Sequence, residues 1–325
     1  MRAVVVEQTG GPEAMQVAER PAPEPGPGEV AVEVAASGVN FIDVYQRTGV
    51  YPKDLPFVVG SEGAGTVTAA GEGVDGLAVG DRVAWAMVEG GGYAEGAVLP
   101  ADRVVPVPEG VDLDVAAAVM LQGMTAHYLC ETTFPAGPGH VALVHAAAGG
   151  VGLLLTQMLA AKGTRVIATT GTAEKAELAR GAGAAEVVLY READLVEEVR
   201  RLTDGAGVHV VYDGVGRTTF DDGLTLLRPR GMMVLYGASS GPVPPMDPQL
   251  LNREGSLFLT RPTLAHYVAD RAELLERAGA VLGQVAAGTL DVWIGGRYPL
   301  ADAGRAHDDL EARRTTGKLL VLPRD

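Results

Sequence analysis

From about residue 139 onward, short apolar runs alternate along the chain with segments whose apolar residues recur at helical spacing. Strand, helix and strand repeated in this order predict a parallel, doubly wound sheet covered by helices, which is an α/β fold. The six predicted strands are residues 141–144, 165–168, 187–189, 208–212, 232–236 and 257–259. The predicted helices between the first five of these strands are residues 151–161, 173–180, 192–202 and 220–227.

The first third of the chain follows a different rhythm, with apolar residues at every second position over short stretches. Valines 30, 32 and 34 show this spacing, and similar runs follow at 63–68, 81–86 and 98–107. Short strands between Gly/Pro turns predict a β-rich domain over about residues 1–118. Near the other end, the pattern predicts one long amphipathic helix over 266–287 and a strand over 318–322. A chain of 325 residues is long enough for two domains with separate cores.

The charge balance and the cysteine count argue against several classes of protein. The 41 acidic and 26 basic residues give a net charge of −15, which disfavours binding of nucleic acid or anionic membranes. Cys130 is the single cysteine, so neither an internal disulfide nor a cysteine-based zinc site is expected, and the six histidines lack metal-ligand spacing. The N-terminal apolar run is too short for a signal peptide, and no stretch reaches the ~20 apolar residues of a membrane span. We therefore expect a cytoplasmic protein.

A glycine-rich segment follows the first predicted strand of the α/β region. Residues 145–152 read HAAAGGVG and open the next predicted helix. They match the dinucleotide fingerprint G-x-G-x-x-G at Gly149 and Gly152 but carry Ala147 at its first position. Small residues let a pyrophosphate approach the backbone, and a helix N-terminus offers it unbonded N–H groups. The segment therefore indicates a dinucleotide site, with a simple helix-packing turn as the alternative.

The end of the second predicted strand indicates which dinucleotide binds. An NAD site usually carries Asp or Glu at this point, but residues 168–172 read ATTGT and contain no carboxylate. Gly171 leaves room for a 2′-phosphate, and Lys175 on the next helix supplies a positive charge. This favours NADP(H) over NAD(H), unless Lys175 is an ordinary surface lysine. Tyr190 and Arg191 end the third strand at the same carboxyl edge, where ligands of such sheets bind.

Two further glycine motifs are rejected on structural grounds. Gly26 and Gly28 begin a partial fingerprint, but it leads into a strand and is interpreted as a turn. Residues 237–241, GASSG, match the G-x-S-x-G motif of hydrolases. The PVPP segment at 242–245 prevents the helix that such a nucleophile must enter, so a hydrolase triad is not expected.

Several segments together resemble the NADPH:quinone oxidoreductases, also called zeta-crystallin-like proteins, of the medium-chain dehydrogenase/reductase superfamily. These segments are ASGVNFIDVYQRTGVY at 36–51, PFVVGSEGAG at 56–65, AAAGGVG at 146–152, Gly171-Thr172 with Lys175, DGVGR at 213–217 and TRP at 260–262. The resemblance covers the whole chain. It implies a GroES-like β domain made of residues 1–119 and 264–325, with a Rossmann domain for NADP(H) over residues 120–263.

The resemblance also implies an activity, which is the zinc-independent reduction of a quinone by NADPH in the cleft between the domains. It implies a homodimer that pairs the last Rossmann strand, near residues 257–260. Zinc-binding relatives carry cysteine and histidine ligands where this chain has SGVN at 37–40 and SE at 61–62, so no metal ligand is expected.

The resemblance carries site residues over to this chain. Those implied in the quinone pocket are Asn40, Asp43, Tyr45 and Thr125. The implied cofactor contacts are Ala148, Gly149, Gly150, Val151, Gly171, Thr172, Lys175, Tyr190, Val215, Gly237, Ser239, Leu259, Arg261 and Arg313, with the adjacent Arg314 as the alternative to Arg313.

Two other functions stay open at this point. One is a zinc-free reductase of the same superfamily that acts on the C=C bond of an enone or enoyl thioester. A thioester of CoA would need a basic approach surface, of which this acidic chain gives little sign. The other is a nucleotide-binding structural or RNA-binding protein of the crystallin type, and the net charge of −15 argues against RNA.

Overall fold

The computed structural model describes residues 1–22 and 24–325. The strands are β1 Arg2–Val6, β2 Met15–Glu19, β3 Glu29–Gly38, β4 Phe57–Val58, β5 Glu62–Ala70, β6 Arg82–Ala86, β7 Gly96–Pro100, β8 Val105–Pro106, β9 Val141–Val144, β10 Arg165–Thr170, β11 Glu186–Leu189, β12 Val208–Asp213, β13 Leu227–Leu235, β14 Phe258–Thr260, β15 Ile294–Pro299 and β16 Lys318–Leu322. The helices are α1 Phe41–Arg47, α2 Leu113–Tyr128, α3 Gly150–Ala161, α4 Ala173–Gly181, α5 Leu195–Leu202, α6 Phe220–Leu226, α7 Gln249–Arg253, α8 Leu264–Tyr267, α9 Arg271–Ala286 and α10 Ala303–Glu311. None of the helices in these two ranges is long and apolar enough to cross a membrane.

The chain folds into two compact units. The first unit combines Met1–Met124 with Val268–Asp325, and the second is Thr125–Tyr267. In the first unit, one sheet has the order β15-β16-β3-β5-β6-β8, with β7 also paired to β3, and a smaller sheet has the order β2-β1-β4. The C-terminal strand β16 pairs with β3, so both segments of this unit contribute to one sheet.

The alternation predicted for the first third is confirmed in β3. Val30, Val32 and Val34 are each at most 1% exposed, and they belong to a core cluster with Trp85 and Leu99. Side chains at every second residue of a strand point to one face of the sheet, so this spacing places all three valines in that core. The same strand ends next to α1, which is capped by one predicted site residue, Asn40, and carries two more, Asp43 and Tyr45.

The second unit is the predicted doubly wound sheet. Its strand order is β11-β10-β9-β12-β13-β14, and every pair of neighbours is parallel. Counted along the chain this is the order 3-2-1-4-5-6 of dinucleotide-binding folds, in which ligands bind at the carboxyl edge where the order reverses. The reversal point lies between β9 and β12, and the glycine-rich segment directly follows β9.

Two predicted elements are wrong in their extent. Residues 266–287 do not form one helix, because α8 ends at Tyr267 and α9 begins at Arg271. Asp270 caps α9 by accepting the Glu273 N–H at 2.9 Å, which fixes a new helix start. Residues 98–107 are likewise interrupted by a 3₁₀ turn, Ala101–Arg103, between β7 and β8.

Candidate active site

In the first unit, α1 begins at the point where β3 leaves the sheet. Asn40 is the N-cap of α1, and its backbone N–H donates to Asp43 Oδ2 at 3.0 Å, as in one half of a capping box. At the other end of the helix, the buried Arg47 donates to Gly10 O at 3.2 Å and to Glu311 Oε2 at 2.8 Å. The helix is therefore held at both ends by polar contacts to its own unit.

The side chain of Asn40 has all four of its hydrogen-bonding positions occupied. Its Nδ2 donates to Gly38 O at 3.2 Å and to Glu62 Oε1 at 2.8 Å. Its Oδ1 accepts from Gln122 Nε2 and from Lys318 Nζ, each at 2.9 Å. A carboxamide offers two donors and two acceptor lone pairs, so this side chain has no group left for a substrate.

Asp43 is a fully buried carboxyl group. Its Oδ1 accepts from Ser61 Oγ at 2.7 Å, in addition to the Asn40 bond on Oδ2. Burial raises the pKa of Asp43 to about 6, because removal from water penalises the charged form more than Ser61 and the charge of Lys318 favour it. Asp43 thus changes protonation near neutral pH.

Glu62 and Lys318 form a buried ion pair next to this helix, with 0% and 2% of their side chains exposed. Lys318 Nζ donates to Glu62 Oε1, to Asn40 Oδ1 and to Val39 O. Glu62 Oε2 accepts the Leu121 N–H of α2 at 2.7 Å. Burial lowers the pKa of Lys318, and the charge of Glu62 opposes that shift. All three ammonium protons have acceptors, which is the condition under which a buried pair is tolerated.

Asn40, Asp43, Ser61, Glu62, Gln122 and Lys318 together form a buried cluster. Tyr45 and Thr125 are the other two residues that the resemblance implies in the quinone pocket. Tyr45 lies on α1 and is half-buried, with its ring centroid 5.1 Å from that of Tyr51 and 6.1 Å from that of Phe41. Thr125 is buried on α2 and belongs to the second unit.

The second unit provides a backbone cradle at the start of α3. Gly149 is the N-cap, and α3 begins at Gly150, so the N–H groups of the first turn lack partners within the helix. A Cβ atom added at Gly152 would lie 2.4 Å from Ala146 O and 2.7 Å from Ala147 Cα. The loop therefore packs against the first turn at a distance that only glycine allows, and an anionic group can approach the exposed amides. This fits the pyrophosphate of a dinucleotide.

The ends of β10 and β11 lie side by side at the same edge. A Cβ atom added at Gly171 would lie 2.7 Å from Tyr190 Oη and 3.3 Å from Arg191 Nε. Thr172 caps α4 by accepting the Lys175 N–H at 3.3 Å, which places Lys175 in the first turn of that helix. Gly171, Tyr190 and Lys175 are thus brought to one edge, together with Arg191, which the set of implied contacts lacked.

The loop after β12 is shaped by a buried carboxylate. Asp213 Oδ1 accepts the N–H groups of Val215 at 2.7 Å and Gly216 at 3.0 Å, and Oδ2 accepts from Thr219 Oγ1 at 2.8 Å. The Ser239 N–H donates to Gly214 O at 3.2 Å. Val215, Gly237 and Ser239 therefore lie in two adjoining loops at the carboxyl ends of β12 and β13. These loops contain no nucleophile elbow, since no helix follows 237–241 before α7.

The remaining implied cofactor residues are more scattered. Leu259 is 37% exposed on β14, and Arg261 follows that strand with its Nη1 donating to Pro262 O at 3.2 Å. Arg313 belongs to the first unit and has a left-handed backbone, with φ 57°. Its neighbour Arg314 is engaged by Asp308 at 2.6 Å and Asp309 at 2.8 Å.

Comparison with known proteins assigns both parts of the chain. The family model for the alcohol dehydrogenase GroES-like domain matches residues 26–109, and that for a zinc-binding dehydrogenase matches residues 150–277. The quinone oxidoreductase of Pseudomonas aeruginosa is 44% identical over 315 residues, which cover 97% of each chain. This chain belongs to the quinone oxidoreductase family.

Two other relatives are similar to this chain over nearly its whole length. The Escherichia coli quinone oxidoreductase, in a structure complexed with NADPH, has a TM-score of 0.97 and 42% identity, covering 99% of this chain and 100% of that one. The 2-haloacrylate reductase of a Burkholderia species is 40% identical over 99% of this chain and 98% of its own. The predicted architecture, a GroES-like β domain with a Rossmann sheet, is confirmed.

Sequence reasoning did not find Gln122 and Lys318, and it considered Ser61 and Glu62 only as positions of absent metal ligands. These residues are far from Asn40 along the chain, so no local spacing connects them to it. One signal was available for Lys318. It is one of only four lysines and lies inside an otherwise apolar strand, KLLVL, where an unpaired charge would be costly.

Proposed function

We propose that this chain is an NADPH-dependent oxidoreductase that reduces quinones and needs no zinc ion. The observation that carries this proposal is the glycine cradle at α3, in a chain that is 44% identical to a quinone oxidoreductase over nearly its full length. A close relative in structure is complexed with NADPH. Cradle and family together support a dinucleotide at the carboxyl edge of the Rossmann sheet.

The choice of NADPH over NADH rests on the end of β10. Residues 168–172 carry no carboxylate to accept the ribose hydroxyls of NAD. Arg191 lies beside Gly171 and Lys175 lies in the first turn of α4, and both can supply positive charge for a 2′-phosphate. In a chain of net charge −15, such local cations are what an anionic cofactor requires.

NADPH supplies a hydride, so that quinone, NADPH and one proton give hydroquinone and NADP⁺. The Tyr45 hydroxyl is the donor we assign to the quinone oxygen, where negative charge develops. Asn40 does not have this role, because its four hydrogen-bonding positions are occupied within its own unit. Asn40 and Asp43 instead fix the start of α1, which carries Tyr45. We therefore assign them a positioning role.

Zinc independence is supported by the chemistry of the buried cluster. A metal would need anionic or neutral ligands, but the Lys318 ammonium already occupies the space between Glu62 Oε1 and Asn40 Oδ1. Within residues 1–22 and 24–325, no group of three or more His, Cys, Asp or Glu side chains could hold a metal ion. The residues present do not fit a zinc site, although the matching family model is named for zinc binding.

The decisive test is steady-state oxidation of NADPH with a panel of p-quinones, o-quinones, enones and 2-haloacrylates. We expect turnover with quinones, lower activity with NADH, and no change after treatment with a zinc chelator. Turnover of the C=C substrates alone would contradict the quinone proposal, and loss of activity on chelation would contradict zinc independence.

The second candidate function is reduction of an activated C=C bond. It is favoured by the 40% identity to a 2-haloacrylate reductase over nearly the whole of both chains. The same panel separates the two functions, because a C=C reductase would show a higher kcat/KM with the haloacrylate or enone than with any quinone.

We also propose that the protein forms a homodimer through β14. This strand is at the end of the Rossmann sheet, and its Phe258 and Leu259 are 57% and 37% exposed. An exposed apolar edge strand is a template for pairing with a second copy. Sedimentation of the wild type and of Leu259→Lys tests this, with a shift to monomer expected in the variant.

A further inference from the structure

The last residue of α1, Arg47, has its guanidinium group buried in the first unit. Its Nη1 donates to His307 Nδ1 at 3.2 Å, and its Nη2 donates to Glu311 Oε2 at 2.8 Å. His307 and Glu311 are four residues apart on α10, so they lie on one face of that helix. The main chain adds a further bond, since the Gly10 N–H donates to Arg47 O at 3.0 Å. These contacts hold the C-terminal end of α1 against α10 and Gly10.

The contact with Arg47 determines which nitrogen of His307 carries the proton. A guanidinium has donors only, so Nδ1 accepts, and the one N–H of the neutral ring must be on Nε2. Nε2 lies 3.0 Å from Tyr93 Oη and therefore donates to it. Burial and the charge of Arg47 lower the pKa of His307 to about 3, which keeps the ring neutral near pH 7. Arg47, His307 and Tyr93 are each at most 1% exposed, so these hydrogen bonds are shielded from water.

Tyr93 is itself fixed to the segment that holds the other end of α1. Its backbone N–H donates to Val59 O at 2.8 Å. Two residues after Val59, the Ser61 hydroxyl donates to Asp43, which lies in the first turn of α1. Both ends of α1 are therefore connected to residues 59–61 by buried hydrogen bonds.

α1 is too short to determine its own direction. A helix of seven residues is not stable by itself in water, so tertiary contacts at its two ends decide where it points. Tyr45 lies between those ends, with its half-buried ring 6.1 Å from that of Phe41. A tilt of the C-terminal end moves the Tyr45 side chain, because Tyr45 is only two residues before Arg47.

We propose that Arg47 and His307 are positioning residues for Tyr45, and that they hold its hydroxyl at the place where it meets the quinone oxygen. This inference rests on the role proposed above for the Tyr45 hydroxyl. Arg47 and His307 do not contact the quinone, because both side chains are buried and bonded within the first unit. Displacing a reacting group by about 1 Å lowers a rate by up to about 100-fold, so a small tilt of α1 is sufficient.

The test is a double-mutant cycle on NADPH oxidation with a p-quinone, using the full chain. The four proteins are the wild type, His307→Leu, Tyr45→Phe and the double variant. We expect His307→Leu to lower kcat about fivefold or more when Tyr45 is present. In the Tyr45→Phe background the loss should be less than about twofold, because two residues that act through one hydroxyl are not additive. The Kd for NADPH should be the same in all four proteins.

Two further variants separate positioning from stability. His307→Asn keeps an oxygen that can accept from Arg47, so it should restore most of kcat. Tyr298→Phe is the matched control, because it removes the 2.8 Å hydrogen bond to Asp309 of the same α10, and this bond does not involve α1. It should lower stability and leave kcat unchanged. If His307→Leu does not fold, Glu311→Ala takes its place in the cycle, since Glu311 is partly exposed.

Three results would overturn the positioning role. They are equal losses of kcat in both backgrounds, wild-type kcat in a folded His307→Leu, and the same loss of kcat in Tyr298→Phe. Each would show that the buried network supports the fold without acting through Tyr45.

A second measurement does not depend on activity. Fluorine NMR of the chain labelled with 3-fluorotyrosine reports the surroundings of its nine tyrosines, and Tyr45→Phe identifies the Tyr45 signal. We expect His307→Leu to shift that signal more than Tyr298→Phe does. An unchanged Tyr45 signal would overturn the inference. Absence of quinone turnover in the wild type would instead contradict the proposed function, and the NMR signal would still decide whether the network fixes Tyr45.

Discussion

The ammonium group of Lys318 donates a 2.9 Å hydrogen bond to the side-chain oxygen of Asn40. Because an ammonium has donors only, this bond fixes which end of the Asn40 carboxamide is oxygen, and Gln122 must then donate to the same atom. The C-terminal strand thereby orients the residue that starts α1. Asn40, which the resemblance implies in the quinone pocket, is held by a lysine 278 positions away along the chain.

We expect Lys318→Met to lower the free energy of unfolding by about 3–5 kcal/mol, because it leaves Glu62 buried without its cation. The double variant Lys318→Met/Glu62→Gln should recover part of this loss. Urea denaturation measures both. Lys53→Met is the control, since its Glu89 partner is 4.0 Å away and 80% exposed. Equal stability of the single and double variants would contradict the ion-pair account.

The pH dependence of stability should report on Asp43. Its pKa in the fold, about 6, is above the ordinary aspartate value of 3.8, so its contribution to stability is complete below about pH 4 and is lost as pH rises through 6. Asp43→Asn is neutral at every pH, and its amide can donate to Ser61 Oγ while its oxygen accepts the Asn40 N–H.

Relative to wild type, Asp43→Asn should therefore gain about 3 kcal/mol between about pH 4 and pH 8, from two pKa units at about 1.36 kcal/mol each. Urea unfolding of both proteins at the two pH values gives this difference. A constant difference across that range would show that Asp43 does not titrate there.

Cofactor selectivity should depend on the cations beside Gly171. Lys175→Ala and Arg191→Ala should each raise the Kd for NADPH by about tenfold or more, since a hydrogen bond to a charged group contributes about 1.5–3 kcal/mol. The Kd for NADH should change little. Fluorescence titration measures both constants, and Lys162→Ala, whose lysine pairs with Glu131, is the control. Equal losses for NADPH and NADH would contradict a role in 2′-phosphate binding.

Gly152→Ala should disturb the nucleotide cradle. The added methyl group would lie 2.4 Å from Ala146 O, and we expect it to destabilise the fold by about 1–3 kcal/mol and to weaken NADPH binding. Gly181→Ala is the matched control, because a Cβ atom there has nothing within 4 Å. Thermal unfolding and NADPH titration measure these effects. Equal stability and equal NADPH affinity of the Gly152→Ala and Gly181→Ala variants would contradict the prediction.

Tyr45→Phe should lower kcat/KM for a good quinone about tenfold, through loss of a hydrogen bond to developing negative charge. The effect should appear in kcat more than in the Kd for NADPH. Asn40→Asp keeps the N-cap preference but loses the two amide donors, so it should lower stability as well as activity. A kcat/KM of Tyr45→Phe equal to that of the wild type would contradict the proposed role of the Tyr45 hydroxyl.

The local pattern of the chain was sufficient for most of the fold. A buried strand is a short apolar run, so the bounds of residues 141–144 and 318–322 were predicted from the apolar pattern alone, and both match their strands. The pattern failed at 266–287, because the apolar spacing continues across Asp270 while the cap there starts a new helix. The position of a helix start is determined here by the capping hydrogen bond of Asp270, and not by the spacing of the apolar residues.

The candidate site likewise has one part that the sequence predicts and one part that only the tertiary fold assembles. The cradle at Gly149–Gly152 and the end of β10 are contiguous segments whose geometry follows from glycine and from the start of a helix, so the sequence by itself determined that part. The cluster around Asn40 draws on α1, β5, α2 and β16, which only the tertiary fold brings together. A buried charge needs hydrogen-bonding or charged partners close to it in space, and these can come from distant parts of the sequence. The hydrogen bonds of the Asn40 side chain to Lys318, Glu62 and Gln122 were therefore decided by the tertiary fold, and not by the segment in which Asn40 occurs.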